Sequence, residues 1–211
     1  MKKGIIFDMD GTLWDSAPEV VESWNRTIQR VGYKRAPLTA EDMQSVMGKT
    51  MDVLARILFP DLGDEDRGKL LNKCGEEENA YLREHGGTLY PKLRETMEIL
   101  KKKYHLYIVS NCQSGYIEAF LDHYGFHDLI EDIECFGNNN KPKGENIALL
   151  CERNALDDAV YVGDIQGDYD ASMQAGVKFI HAAYGFGTIQ ASVPKIQSFE
   201  ELTGVVDQIL G

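Results

Sequence analysis

The sequence predicts an α/β protein, a parallel sheet flanked by helices and interrupted after its first strand by an all-helical insertion. Two observations carry that prediction. Short apolar runs rich in β-branched residues alternate with stretches of helical periodicity, which is how strands buried on both faces of a parallel sheet read. Residues 16–84 break this rhythm, with helical periodicity and no convincing strand.

Taken in order, the first run is Gly4–Phe7 (GIIF), and two acids one residue apart, Asp8 and Asp10, follow it. In the insertion, Ser16 and Glu19 have the spacing of a capping box, and Val20, Trp24, Ile28 and Val31 recur at helical spacing up to Gly32. Further helices are predicted over Ala40–Met47, Lys49–Phe59 and Asp64–His85. Trp14 is expected to pack where the insertion leaves the sheet. Beyond the insertion the predicted helices are Leu93–Tyr104, Tyr116–Tyr124, Glu145–Asn154 and Asp170–Ala175. The strands between them are Leu106–Val109, Ala159–Val162 and Val177–Ala182, with a weaker one at Asp132–Phe136. Ser198 and Glu201 repeat the capping-box spacing ahead of a C-terminal helix. The chain has no internal repeat.

The totals narrow the functional classes. At 211 residues the chain can bury a full core, as one domain or two small ones. A net charge of −12 argues against nucleic acid or an anionic membrane as partner, since phosphate backbones attract excess Lys and Arg. No stretch has the apolar length of a membrane span. Lys2 and Lys3 precede an apolar run far too short for a signal peptide. Cys74, Cys112, Cys135 and Cys151 show no C-x-x-C pairing. Scattered thiols without a signal read as reduced and cytoplasmic. None of the five histidines has metal-ligand spacing. A monomer is the default expectation.

The chemistry lies in the acids. A second group, Asp164, Asp168 and Asp170, follows the Ala159–Val162 run in "VGDIQGDYD". Acidic turns are common because Asp suits turns and helix starts. Two such groups ending two strands of one sheet make a narrower pattern. Carboxylates converging at one sheet edge repel, and a hard divalent cation relieves this; Mg²⁺ takes one or two carboxylates together with water and phosphate oxygens. Donors for a phosphate are at hand. Ser110 and Asn111 follow the LYIV strand, and Lys141 and Lys143 precede a predicted helix, where the dipole disfavours cations unless they hold an anion.

In this order the elements resemble the signature of the haloacid dehalogenase superfamily of phosphohydrolases. "DMDGTLWDS" from Asp8 to Ser16 matches the first motif, D-x-D-G-T-L-x-D-S, throughout, and "LYIVSN" matches the second. "GDIQGD" at Gly163, Asp164 and Asp168 matches the fourth, G-D-x-x-x-D. The third motif has two readings: Lys141-Pro142 fits K-P-x-P-E with Gly144 in place of the second Pro, and Lys143-Gly144 fits K-G-x-x-I. The second reading, with Lys143, is favoured. The resemblance implies a Rossmann-like α/β core, residues 1–15 and 85–211, with a helical cap at 16–84 similar to that of phosphoglycolate phosphatase and β-phosphoglucomutase relatives. It implies Asp8 as nucleophile and Asp10 as general acid and base. It also implies Mg²⁺ held by Asp8, the Asp10 carbonyl and Asp164, with Asp168 ligating directly or through water. Ser110, Asn111 and the motif-three lysine would bind phosphate. Lys49, beside Gly48 between cap helices, stands where relatives contact substrate, and the Tyr184–Gly187 loop is expected to border the site.

The expected function is Mg²⁺-dependent hydrolysis of a small phosphorylated metabolite through an aspartyl-phosphate. A phosphosugar mutase and, more remotely, a phospho-accepting switch or binding module are the alternatives. The identity of the metabolite is not written in the sequence, because specificity resides in sites rather than folds.

Overall fold

A computed structural model describes all residues, Met1–Gly211. The chain runs β1 (Lys3–Phe7), β2 (Trp14–Asp15), α1 (Ala17–Val31), α2 (Ala40–Gln44), α3 (Met51–Leu58), α4 (Asp64–His85) and β3 (Thr88–Leu89). It continues through α5 (Leu93–Leu100), β4 (His105–Ser110), α6 (Tyr116–Tyr124), β5 (Asp132–Cys135), α7 (Phe136–Asn139) and α8 (Lys143–Arg153). Then come β6 (Asp158–Gly163), α9 (Gln166–Gln174), β7 (Lys178–Ala182), β8 (Lys195–Ile196), a 3₁₀ turn (Phe199–Glu201) and α10 (Leu202–Leu210).

Six strands form one sheet in the order β5-β4-β1-β6-β7-β8, and every pair in it is parallel. β1 is central, with Ile5, Ile6 and Phe7 wholly buried. That explains the unbroken apolar run, because helices cover both faces. From β1 the connections run outward to β4 and β5 on one side, then return to β6, β7 and β8 on the other. The switch in direction opens a crevice beyond the carboxyl ends of β1, β4 and β6. Asp8 sits in that crevice.

The helical insertion α1–α4 leaves and rejoins the sheet domain through a two-stranded antiparallel ladder, in which Trp14 pairs with Leu89 and Asp15 with Thr88. Sequence reading missed this ladder and β8, since two-residue strands leave no periodicity to detect. Trp14 anchors the crossing, buried edge-on against Tyr116 and Phe120 with ring centroids 5.6 and 5.1 Å away.

Two predicted caps form differently. Ser16 precedes α1 but makes no capping bond. The Ala17 N–H donates instead to the Asp15 carboxylate at 3.0 Å, which frees the Ser16 hydroxyl for other work. Ser198 likewise caps nothing, and Glu201 reaches back to accept from the Gln197 N–H at 2.8 Å. The box that does close joins Thr39 and Asp42 at the start of α2. The ninth helix begins at Gln166, four residues before the predicted start, because Asp168 caps it from within.

Candidate active site

The segment after β1 folds into a tight loop. Thr12 and Leu13 N–H groups donate to the Met9 carbonyl at 3.1 and 2.8 Å, and Gly11 N–H donates to Trp14 at 2.9 Å. Gly11 has φ +82°, and a Cβ there would fall on the Asp164 carboxylate. Backbone sign and close approach both require glycine. The loop aims Asp8 and Asp10 at different partners.

Asp8 is 2% exposed. Its Oδ1 accepts from Lys143 Nζ at 2.8 Å, and the same ammonium donates to Asp168 Oδ1 at 2.6 Å. Asp168 Oδ2 accepts from the N–H groups of Asp164 and Ile165 at 3.0 and 3.2 Å. Both oxygens of Asp168 are thus engaged within the chain, one with Lys143 and the other with the backbone after β6. Asp164 is buried beside them. Its Oδ2 accepts from the Phe186 N–H at 2.7 Å, while Oδ1 is buried with no partner. Phe186 belongs to the Tyr184–Gly187 loop, and Tyr184 donates its hydroxyl to the Thr12 carbonyl at 2.7 Å. That loop borders the site, as the sequence led us to expect.

Three carboxylates and one ammonium leave the cluster negative. Burial, with Asp168 nearby, pushes Asp8 up to about 7 despite Lys143. Burial and the other two acids push Asp164 up to about 8. Burial alone would lower Lys143, but the Asp168 and Asp8 carboxylates hold its ammonium well above the ordinary lysine value. Oxygens of Asp8, Asp164 and Asp168 lie within 4.8 Å of one another. An orphaned buried carboxylate oxygen in a site short of positive charge suits a hard divalent cation. The residues present fit one.

Asp10 is kept apart from this cluster. Ser16 Oγ and Tyr116 OH each donate to Asp10 Oδ1 at 2.7 Å. Burial raises its pKa, and those two bonds offset only part of the shift. Ser16 and Tyr116 were not singled out by sequence reading for this role. Ser16 belongs to the first motif, and its spacing to Glu19 predicts a helix cap, whereas its hydroxyl goes to Asp10.

Ser110 ends β4, 4% exposed, and Asn111 follows it. Asn111 Nδ2 donates to the Gly48 carbonyl at 2.8 Å, joining sheet edge to insertion, and its Oδ1 is buried without a partner. Lys143, the first residue of α8, is buried in the cluster, whereas Lys141 is exposed outside it. Lys49 is exposed at the rim of a cavity enclosed by insertion and sheet edge, which Asp10, Ser110 and Asn111 also line. Deep in that cavity stands Glu78 of α4, 4% exposed, a residue passed over in the sequence. A signal was available: Glu78 falls four residues after Cys74 and four before Leu82, on the buried stripe of its helix.

Residues 5–182 match the model of the haloacid dehalogenase-like hydrolase family. Curated relatives include a phosphoglycolate phosphatase from Rhodobacter capsulatus, 27% identical over 98% of each chain. Another, from Haemophilus influenzae, is 30% identical over 87% of each. Among solved structures, a haloacid dehalogenase-like hydrolase from Bacteroides fragilis superposes with a TM-score of 0.82 at 24% identity, covering 96% of this chain and all of that one. CbbY from Rhodobacter sphaeroides, solved with phosphate, gives 0.79 at 19% identity over 96% of both. At these identities the structures speak for the fold. Fold, motif order and family match agree: the chain is an enzyme of the haloacid dehalogenase-like hydrolase family.

Proposed function

We propose that the protein is a Mg²⁺-dependent phosphatase acting on small phosphate monoesters through an aspartyl-phosphate on Asp8. The reading rests above all on the divergence of two like side chains: Asp8 is held by an ammonium and Asp10 by two hydroxyls. It is supported by the relatives named phosphoglycolate phosphatase.

Lys143 grips Asp8 Oδ1, which leaves Oδ2 to attack phosphorus. As that bond forms, the bond from phosphorus to the alcohol oxygen breaks. Asp10, whose pKa burial raises, gives the leaving alkoxide its proton. Asp10 then takes a proton from water, which attacks the phosphoenzyme, releases phosphate and restores the Asp8 carboxylate. Ser110 Oγ and backbone N–H groups after β4 would bind the phosphoryl oxygens. Bound through Asp8, the Asp10 carbonyl and Asp164, with Asp168 behind them, Mg²⁺ would neutralise charge on the transferring phosphoryl group. In this proposal residues 16–84 act as a cap on a core of residues 1–15 and 85–211. The paired crossings at Trp14–Asp15 and Thr88–Leu89 suit a hinge, and the Asn111–Gly48 bond suits a closed state. A reduced, cytoplasmic setting belongs to the same proposal, and the four thiols are unpaired.

The test is phosphate release from a panel of monoesters with Mg²⁺, followed by EDTA. Turnover that EDTA stops and Mg²⁺ restores is the expected result. Metal-independent turnover, or none on any monoester, would overturn the reading.

A further inference from the structure

Beyond Asp10 lies a small cavity between insertion and sheet edge, with a volume of about 40 Å³. Its walls are apolar, formed by Trp24, Met43, Met47, Met51 and Leu54. Its polar groups include the buried Glu78 carboxyl and the Asn111 amide. Glu78 Oε2 accepts from the Trp24 indole N–H, and Oε1 accepts from Gln113 Nε2 at 3.0 Å. Both partners are neutral, and no cation pairs with this buried carboxyl. Gln113 Nε2 is shared with Asn79 Oδ1 at 2.9 Å, so it has little left to offer a ligand. The Asn111 amide is fixed by its bond to Gly48, so its orphaned Oδ1 also awaits a donor. Lys49, the one cation of the lining, is exposed at the rim.

We infer that this cavity selects phosphate monoesters whose alcohol half is uncharged or cationic and brings hydrogen-bond donors, with Glu78 rejecting those that end in a carboxylate. The inference deepens the phosphatase reading and rests on it for the position of the phosphate. With phosphate at Asp8, the alcohol half extends past Asp10 toward Glu78. A hydroxyl or ammonium there finds the orphaned Asn111 Oδ1 and the remaining lone pairs of a Glu78 carboxyl that has only neutral donors. A carboxylate meets the buried Glu78 carboxyl in a poorly solvated space and has no buried cation to compensate. Burial already pushes Glu78 up to about 7, the strain of a carboxyl without a charged partner. Specificity arises here from a repulsive element as much as an attractive one.

Three phosphates differing at one carbon test this: 2-hydroxyethyl phosphate, 2-aminoethyl phosphate and 2-phosphoglycolate. Wild-type kcat/KM should favour the first two over the third by about tenfold or more, and Glu78→Gln should shrink that preference by about the same factor. A wild-type preference for 2-phosphoglycolate, or a preference unchanged in Glu78→Gln, would overturn the inference. Failure of the phosphatase reading looks different: no phosphate is released from these compounds or from p-nitrophenyl phosphate. Calorimetric titration of the three into full-length Asp8→Asn protein with Mg²⁺ reads the preference without turnover and without altering Glu78. The same order of affinities is expected there, and equal or reversed affinities would overturn the inference even if Glu78→Gln failed to fold.

Discussion

Two buried acidic sites lie on either side of the cavity, and they are compensated in opposite ways. At the sheet edge, Asp8, Asp164 and Asp168 share one ammonium, and an oxygen of Asp164 is left bare. In the insertion, Glu78 stands alone and receives two neutral donors. Burial raises a carboxyl in both places, to about 7 at Asp8, about 8 at Asp164 and about 7 at Glu78. The difference lies in what each site lacks. The first lacks positive charge, which a divalent cation would supply. The second has a neutral donor on each oxygen and no countercharge, so it tolerates a further hydroxyl and disfavours an anion. One arrangement suits a reaction centre common to many substrates, the other a choice among them.

The strongest way to break that comparison is at Asp8. Asp8→Asn should cut phosphate release by about 10⁴-fold or more, since an amide cannot attack phosphorus. Circular dichroism should show an intact fold. Activity near wild type would take the nucleophile out of the sheet-edge cluster.

Next in size is Asp10. Asp10→Asn should slow single-turnover phosphorylation by about 10²–10⁴-fold for an alkyl phosphate, and far less for p-nitrophenyl phosphate, whose leaving group needs no proton. Equal losses would reduce Asp10 to a positioning residue. Steady-state rates cannot make this distinction, because in the proposed mechanism Asp10 also serves the hydrolytic step.

A smaller effect is expected at Asp164. Asp164→Asn should raise the Mg²⁺ concentration for half-maximal activity by about tenfold or more, while Glu78→Gln should leave that concentration where it is. A shift of similar size in both variants would erase the contrast between the two sites.

The smallest effect concerns stability against pH in metal-free protein. A carboxyl whose folded pKa exceeds its unfolded value binds more protons when folded, so stability falls as pH rises between the two. For Asp8 and Asp164 that window runs from 3.8 to about 7 and about 8, and for Glu78 from 4.5 to about 7. The melting temperature should therefore fall from pH 5 to pH 8. Mg²⁺ should raise it most at the upper end, by binding the folded state. Asp8→Asn and Glu78→Gln should each flatten the fall, but only Asp8→Asn should also weaken the rescue by Mg²⁺. A melting temperature that rises over this range would contradict the sign.

What the sequence determined by itself was local and periodic. The strands at Gly4–Phe7, Leu106–Val109 and Ala159–Val162 stand within a residue or two of β1, β4 and β6, because burial on both faces writes an unbroken apolar run. The first motif was equally legible, since a loop that needs Gly11 and packs against Asp164 tolerates few spellings. Only tertiary structure decided which partner each of these groups would meet. Ser16 had the spacing of a cap, yet its hydroxyl goes to Asp10, because Tyr116 of a distant helix completes that pair. Lys141 and Lys143 were alternatives on paper. The turn of α8 carries Lys143 inward to two carboxylates and leaves Lys141 outside. Glu78 was one of three successive glutamates, and the packing of α4 alone makes it the buried one, facing Trp24 and Gln113 from segments 54 and 35 residues away. A charge's surroundings are assembled from elements remote in the chain, whereas the pattern that builds each element is near-neighbour, so one is readable in the sequence and the other is not.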